Sequence, residues 1–131
     1  MSGSSVSASR GRAGEDAVCE YLKKQGSKII KRNYRIKGGE IDIISEKDSC
    51  IAFTEVKTRK FGTYIKGSEA VTKAKMRRII NASERFIIDN PIYKNRKRRF
   101  DAAFVTVTTD TIPQILELEY YKGYFTLADL C

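Results

Sequence analysis

The sequence predicts an α/β domain in which a mixed central β-sheet is flanked by helices, in the order αβββαββ. Three observations predict it. Two stretches carry apolar residues at the three-and-four spacing of a helix face, while five shorter ones are β-prone or alternating. No internal repeat or linker divides the 131 residues. That length suits a single domain, expected over residues 10–131. The Ser-rich residues 1–9 lack the apolar stretch of a secretory signal and read as a flexible lead-in.

From Gly11 to Gln25, Ala17, Val18, Tyr21 and Leu22 mark one helix face, and Gly26 supplies a stop. Ile29 to Tyr34 is a short β-prone run, Gly38-Gly39 a turn, and Glu40 to Ser45 a second, alternating strand. Lys47-Asp48 then turns the chain into a third strand, Cys50 to Lys57. Thr58 to Ser68, with two glycines and three basic residues, reads as a mobile loop. Met76, Ile79, Ile80, Ser83, Phe86 and Ile87 keep a helical period, so a second helix is expected from Glu69 or Thr72 to Asp89, ended by Pro91. Phe100 to Val107 is a continuous apolar strand suited to a sheet interior, and Ile115 to Tyr121 a last, mostly alternating one.

Composition removes whole classes of function. There is no histidine, which rules out His-ligated zinc, Ser-His-Asp triads and any histidine base. Cys19, Cys50 and Cys131 are odd in number and lack CxxC spacing, which argues against a disulfide framework or a metal knuckle and fits a reduced cytoplasm. Apolar runs fall well short of the roughly 18 residues a membrane span needs, so no membrane partner is expected.

The net charge is +9, but it is not uniform. Residues 1–100 carry 24 basic and 11 acidic side chains, and residues 101–131 carry one and five. The positive field is dense at Lys94 to Arg99, at Lys73 to Arg78 and from Lys28 to Lys37. Nucleic acid is the natural partner, because each Lys or Arg that meets a phosphate releases condensed counterion. A merely solvated basic surface is the bland alternative.

Chemistry is expected from the second and third strands. With a turn of even length between them, Asp42 is expected opposite Phe53 and Glu40 opposite Glu55, so that Glu40, Asp42, Glu55 and Lys57 share one face. Asp42 and Glu55 would then be diagonal neighbours, roughly 7 to 8 Å apart, close enough to reach one ion. All-oxygen ligands select a hard cation, Mg²⁺ or Mn²⁺, completed by water and substrate phosphate. Lys57, about 6.7 Å along the strand from Glu55, could orient an attacking water or stabilise developing charge. The alternative is a solvent-facing ion pair of Glu55 with Lys57 or Lys37.

Gly11-Arg12-Ala13-Gly14-Glu15, Asn33-Tyr34-Arg35, Gly39-Glu40-Ile41-Asp42-Ile43-Ile44, Glu55-Val56-Lys57-Thr58-Arg59, Ala70-Val71-Thr72 with Lys75, and Arg99-Phe100-Asp101 together resemble the YraN-like bacterial family. More distantly, the pattern is similar to the PD-(D/E)xK nuclease superfamily, which includes restriction endonucleases and archaeal Holliday junction resolvases. Ile41 stands where the superfamily label has proline. The resemblance implies a restriction endonuclease-like fold. It also implies metal ligation by Asp42, Glu55 and the Val56 carbonyl, catalysis by Lys57, and a completing carboxylate from Glu15 on the first helix.

Arg59, Lys60, Lys66, Lys75 and Arg98 are candidate phosphate contacts. Asp101 reads as a structural ion-pair partner ahead of a ligand, and Tyr120, Tyr121, Tyr124 and Phe125 as edge packing ahead of base stacking. The resulting expectation is a Mg²⁺- or Mn²⁺-dependent nuclease on DNA, more than RNA, with branched and single-stranded forms among its substrates. The alternatives are a non-catalytic nucleic-acid-binding or adaptor module, and a small protein whose basic surface meets an acidic partner. Junction resolvases work as symmetric pairs, so a homodimer is expected by analogy.

Overall fold

The structure is a computed structural model describing residues 3–62 and 71–130, with side chains from residue 8 onward. Helix α1 (Gly3–Lys24) is followed by strands β1 (Lys28–Ile36), β2 (Gly39–Lys47) and β3 (Cys50–Lys60). Helix α2 (Lys73–Asp89) and strands β4 (Lys97–Val107) and β5 (Ile115–Phe125) complete the αβββαββ order. The five strands lie side by side in chain order; only the β3–β4 pair is parallel. This architecture is consistent with the restriction endonuclease-like fold.

Several bounds differ from the sequence expectation. The helical backbone of α1 begins at Gly3, ahead of the expected Gly11, along a Ser-rich stretch with no apolar period to signal it. Strand β4 takes in Lys97, Arg98 and Arg99, which sequence placed in a basic connector, since β3 offers pairing partners from Cys50 onward. Strand β5 reaches Phe125, whose buried ring stacks on Phe100 at 5.0 Å.

The helices cover opposite faces. On α2, Ile79, Ala82, Ser83, Phe86 and Ile87 are buried at the expected helical period. They pack with Ile41, Ile44, Ile51, Phe53, Ala102 and Phe125. On the other face, Val18, Cys19 and Leu22 of α1 meet Ile43, Ala103, Val105 and Val107. Burying such a side chain contributes about 1.5–3 kcal/mol, so two-sided packing explains why β4 is mostly apolar from Ala102 to Val107.

Register departs from the expectation by two residues. The β2–β3 turn is Asp48-Ser49, both at positive φ (51° and 64°), the conformation a two-residue type I′ hairpin requires. Lys47 therefore pairs with Cys50, and Phe53 faces Ile44 rather than Asp42. Thr54 faces Ile43, where the ladder ends, so Glu40 is not opposite Glu55.

Simple alternation also fails there. Ile41 packs on the α2 side and Ile43 on the α1 side, although residues two apart on a regular strand share a face. In β1, Tyr34 pairs with Ile41 and Arg32 with Ile43, and the same change of face occurs between them. Asn33, at φ 52°, occupies the left-handed conformation that absorbs the rotation, and Asn tolerates it better than most residues. Both strands thus turn over at the Asn33–Asp42 position.

Two glycines bring the helices against this end of the sheet. A Cβ on Gly14 of α1 would fall 2.0 Å from the Thr58 hydroxyl. One on Gly39 would fall 2.5 Å from the Arg78 carbonyl and 2.9 Å from the Ala82 nitrogen, both backbone atoms of α2. Rotation of Thr58 can relieve the first clash, but only movement of α2 relieves the second. Gly39→Ala should therefore lower stability by about 1–3 kcal/mol in urea unfolding; an unchanged midpoint would show that α2 does not sit this close.

Candidate active site at the gap between β2 and β3

Where the β2–β3 ladder stops, the Val56 amide donates instead to Asp42 Oδ2 at 2.7 Å. A side-chain acceptor thus replaces a ladder bond and holds the Asp42 carboxylate in the gap between the strands. Glu55, one residue earlier, is buried, and its Oε2 has no hydrogen-bond partner among the described residues. Both acids line a cavity of about 380 Å³ together with Glu15, Arg10, Gly11, Val56, Thr58 and Lys60.

Burial pushes the Glu55 carboxyl up to about 7, and the neighbouring Asp42 charge pushes the same way. Asp42 is raised as well, by burial first and then by Glu15, against the lowering effect of the Val56 amide. Two acids raised by burial and by neighbouring carboxylates lack positive charge. Lys75, from the first turn of α2, supplies part of it. Its Nζ lies 2.5 Å from Glu40 Oε1 and 3.7 Å from Glu55 Oε2. The hydrogen bond from Lys75 lowers Glu40. Burial works against the Lys75 ammonium, but Glu40 and Glu55 together hold its pKa above the ordinary value.

The structure thus brings together four of the five expected catalytic and metal-binding residues, Glu15, Asp42, Glu55 and Val56. Lys57 is half-buried and does not line the cavity; its charge reaches Glu55, and it makes no ion pair among the described residues. Lys60 is exposed at the cavity wall. Three expected phosphate contacts already have partners: Arg59 binds Thr106 and Glu119, Lys75 binds Glu40, and Arg98 binds Glu84. Lys66 lies outside the described residues. Asp101 is the structural partner expected of it, fully buried and taking bonds from Arg99, Tyr120 and the Gly123 amide.

Lys75 as counter-charge and Asn33 as the pivot were not found from the sequence. A Thr72 N-cap accepting from the Lys75 amide was the available signal for the first, since it fixes Lys75 in the opening turn of α2.

The oxygen donors here are of the kind a hard cation takes. Among the described residues no group of three acidic or thiol side chains could hold an ion by itself. Two carboxylates with one orphaned buried oxygen fit a cation whose remaining positions are taken by water and substrate oxygen.

Comparison with known proteins follows the same residues. Residues 14–105, which include Glu15, Asp42, Glu55, Lys57 and Lys75, match the Uncharacterised protein family UPF0102. The chain belongs to this family. A UPF0102 protein of Caldicellulosiruptor saccharolyticus is 37% identical over 115 residues, covering 88% of this chain and 95% of that protein. One of Trichlorobacter lovleyi is 37% identical over 119 residues, 90% and 91% of the two chains. One of Chloroherpeton thalassium is 48% identical over 81 residues, 62% of this chain and 63% of the other. Among the described residues no helix is long and apolar enough to cross a membrane.

The raised Glu55 has a consequence for stability. An acid whose pKa is higher in the folded state stabilises below its unfolded value, near 4.5, and that contribution is lost as pH rises through about 7. With no histidine in the chain, few other side chains titrate in that window. In metal-free buffer, stability should fall by roughly 1–3 kcal/mol across it, and Glu55→Gln should remove most of the slope. Denaturant titrations at several pH values check this; a wild-type profile with no slope would contradict the buried, unpaired carboxyl.

Proposed function

We propose that this UPF0102 protein is a divalent-metal-dependent nuclease acting on DNA ahead of RNA. The observation that carries the reading is the orphaned Glu55 oxygen beside Asp42 in a cavity with basic residues on its wall. Asp42 and Glu55, with the Val56 carbonyl, would hold Mg²⁺ or Mn²⁺. When bound, such an ion polarises a phosphoryl oxygen and lowers the pKa of a coordinated water.

The chain's own residues do the rest. The Val56 amide fixes the Asp42 carboxylate, so the ligand is oriented before any ion arrives. Glu15 faces the same cavity from α1, placed to accept a proton or orient water. Lys75 and Lys57 bring positive charge to the α2 side of Glu55, where charge developing on a phosphate would be stabilised. Arg10 and Lys60 at the wall suit backbone phosphates rather than base edges.

A second reading, a nucleic-acid-binding or adaptor module without turnover, is favoured by one observation. Lys75 already sits among the acids and balances part of their charge without a metal. The two readings separate by calorimetric titration of Mn²⁺. The nuclease reading expects binding by wild type, loss in Glu55→Ala, and no cleavage of branched or single-stranded DNA by a folded Asp42→Asn. It further expects Lys75→Met to bind Mn²⁺ roughly tenfold tighter, because a competing charge a few ångströms away has been removed. Chelator-insensitive DNA binding without Mn²⁺ uptake would establish the second reading instead.

A further inference from the structure

The sequence draws attention to the dense basic run at Lys94 to Arg99, yet much of its charge is already engaged. Arg96 pairs with Glu46 at 3.3 Å, Arg98 with Glu84 at 3.2 Å, and Arg99 with Asp101 at 2.8 Å. Lys97 begins β4 opposite Cys50, five residues before Glu55 on β3, so the run lies from about 10 Å (Arg99, opposite Ala52) to about 16 Å (Lys97) along the strands from that carboxylate.

Positive charge with no such partner collects elsewhere. Between α1 and β1 lies a second cavity, of about 690 Å³, whose lining includes Arg12, Arg32, Asn33 and Arg35. It shares Gly11 and Glu15 with the carboxylate cavity, so the two adjoin along α1. Arg12 and Arg35 are exposed and make no hydrogen bond or ion pair among the described residues. The acids on this wall are occupied: Arg32 holds Asp16 at 2.7 Å and Glu15 at 3.6 Å. A Cβ on Gly11 would meet nothing within 4 Å, so the floor there is open.

We propose that the α1–β1 groove carries the sugar–phosphate backbone of a single nucleic-acid strand to the carboxylates, with Arg12 and Arg35 as its phosphate contacts. The proposal rests on the reading of Asp42 and Glu55 as a phosphodiester site. A strand fits better than a small anion, because the guanidinium groups line a passage into a second cavity. Backbone contact without base readout also fits, since arginines here stand with no fixed acceptor geometry around them.

The test is fluorescence anisotropy of a short labelled single-stranded DNA between about 50 and 200 mM salt. Wild type should bind with a log–log salt slope that Arg12→Ala with Arg35→Ala reduces in magnitude by roughly 1–2, weakening affinity at least tenfold at low salt. Gly11→Leu, which places a side chain in open space, should weaken binding without lowering the melting temperature. Lys94→Ala with Lys97→Ala should leave the slope unchanged. If wild type binds but the arginine pair keeps the full slope, or the lysine pair removes it, the groove is wrong while the site reading stands. If wild type binds no nucleic acid at all, both fall. Displacement by an acidic peptide but not by DNA would also overturn the groove.

Discussion

A single hydrogen bond, from the Val56 amide to Asp42, organises the end of the sheet where the conspicuous chemistry lies. A strand amide inside a sheet must find an acceptor, and at this position β2 has turned away. The carboxylate that takes the carbonyl's place is oriented by the bond and drawn into a partly buried gap. Burial then raises its pKa and that of Glu55, and the Asp42 charge pushes Glu55 further the same way. One local solution to a backbone requirement thus creates a pair of carboxylates in want of a cation.

The surrounding fold supports that gap from both faces. Asn33 takes up the rotation in β1 that Asp42 takes up in β2, so the change of face is shared by paired strands. Gly14 lets α1 approach Thr58 and bring Glu15 to the cavity, and Gly39 lets α2 approach β2 and bring Lys75 to Glu40. Away from the gap, buried charge is satisfied. Asp101 is fully buried yet takes four hydrogen bonds, whereas Glu55 keeps an oxygen with none. That contrast separates a satisfied structural carboxylate from one with an unmet hydrogen-bonding oxygen, which is what the proposed metal site rests on.

Much of this was legible in the sequence because periodicity and turn chemistry are local signals. The element order, the two amphipathic helices and the interior character of β4 followed from spacing alone. So did the structural role of Asp101. The gathering of Asp42 and Glu55 was anticipated, but through a register two residues off and an alternation the strands do not keep. Nothing in a side-chain pattern announces that Asn33 adopts positive φ, or that Asp42 bonds to Val56 across a broken ladder. Lys75 stood out as a phosphate contact, but its pairing with Glu40 was hidden for a different reason: which face of α2 meets Glu40 depends on Gly39, a contact between segments far apart in sequence. Which of the densest basic residues already have acidic partners was not legible either, since the ion pairs of Arg96, Arg98 and Arg99 with Glu46, Glu84 and Asp101 are three-dimensional facts.

The central claim is that the strand gap presents oxygen ligands to one hard cation. Crystals soaked in manganese and measured for anomalous scattering test it most directly. The account predicts a single Mn²⁺ peak bridging the carboxylates of Asp42 and Glu55, with water filling its remaining positions. No peak there, or manganese bound only at unrelated surface acids, would contradict it.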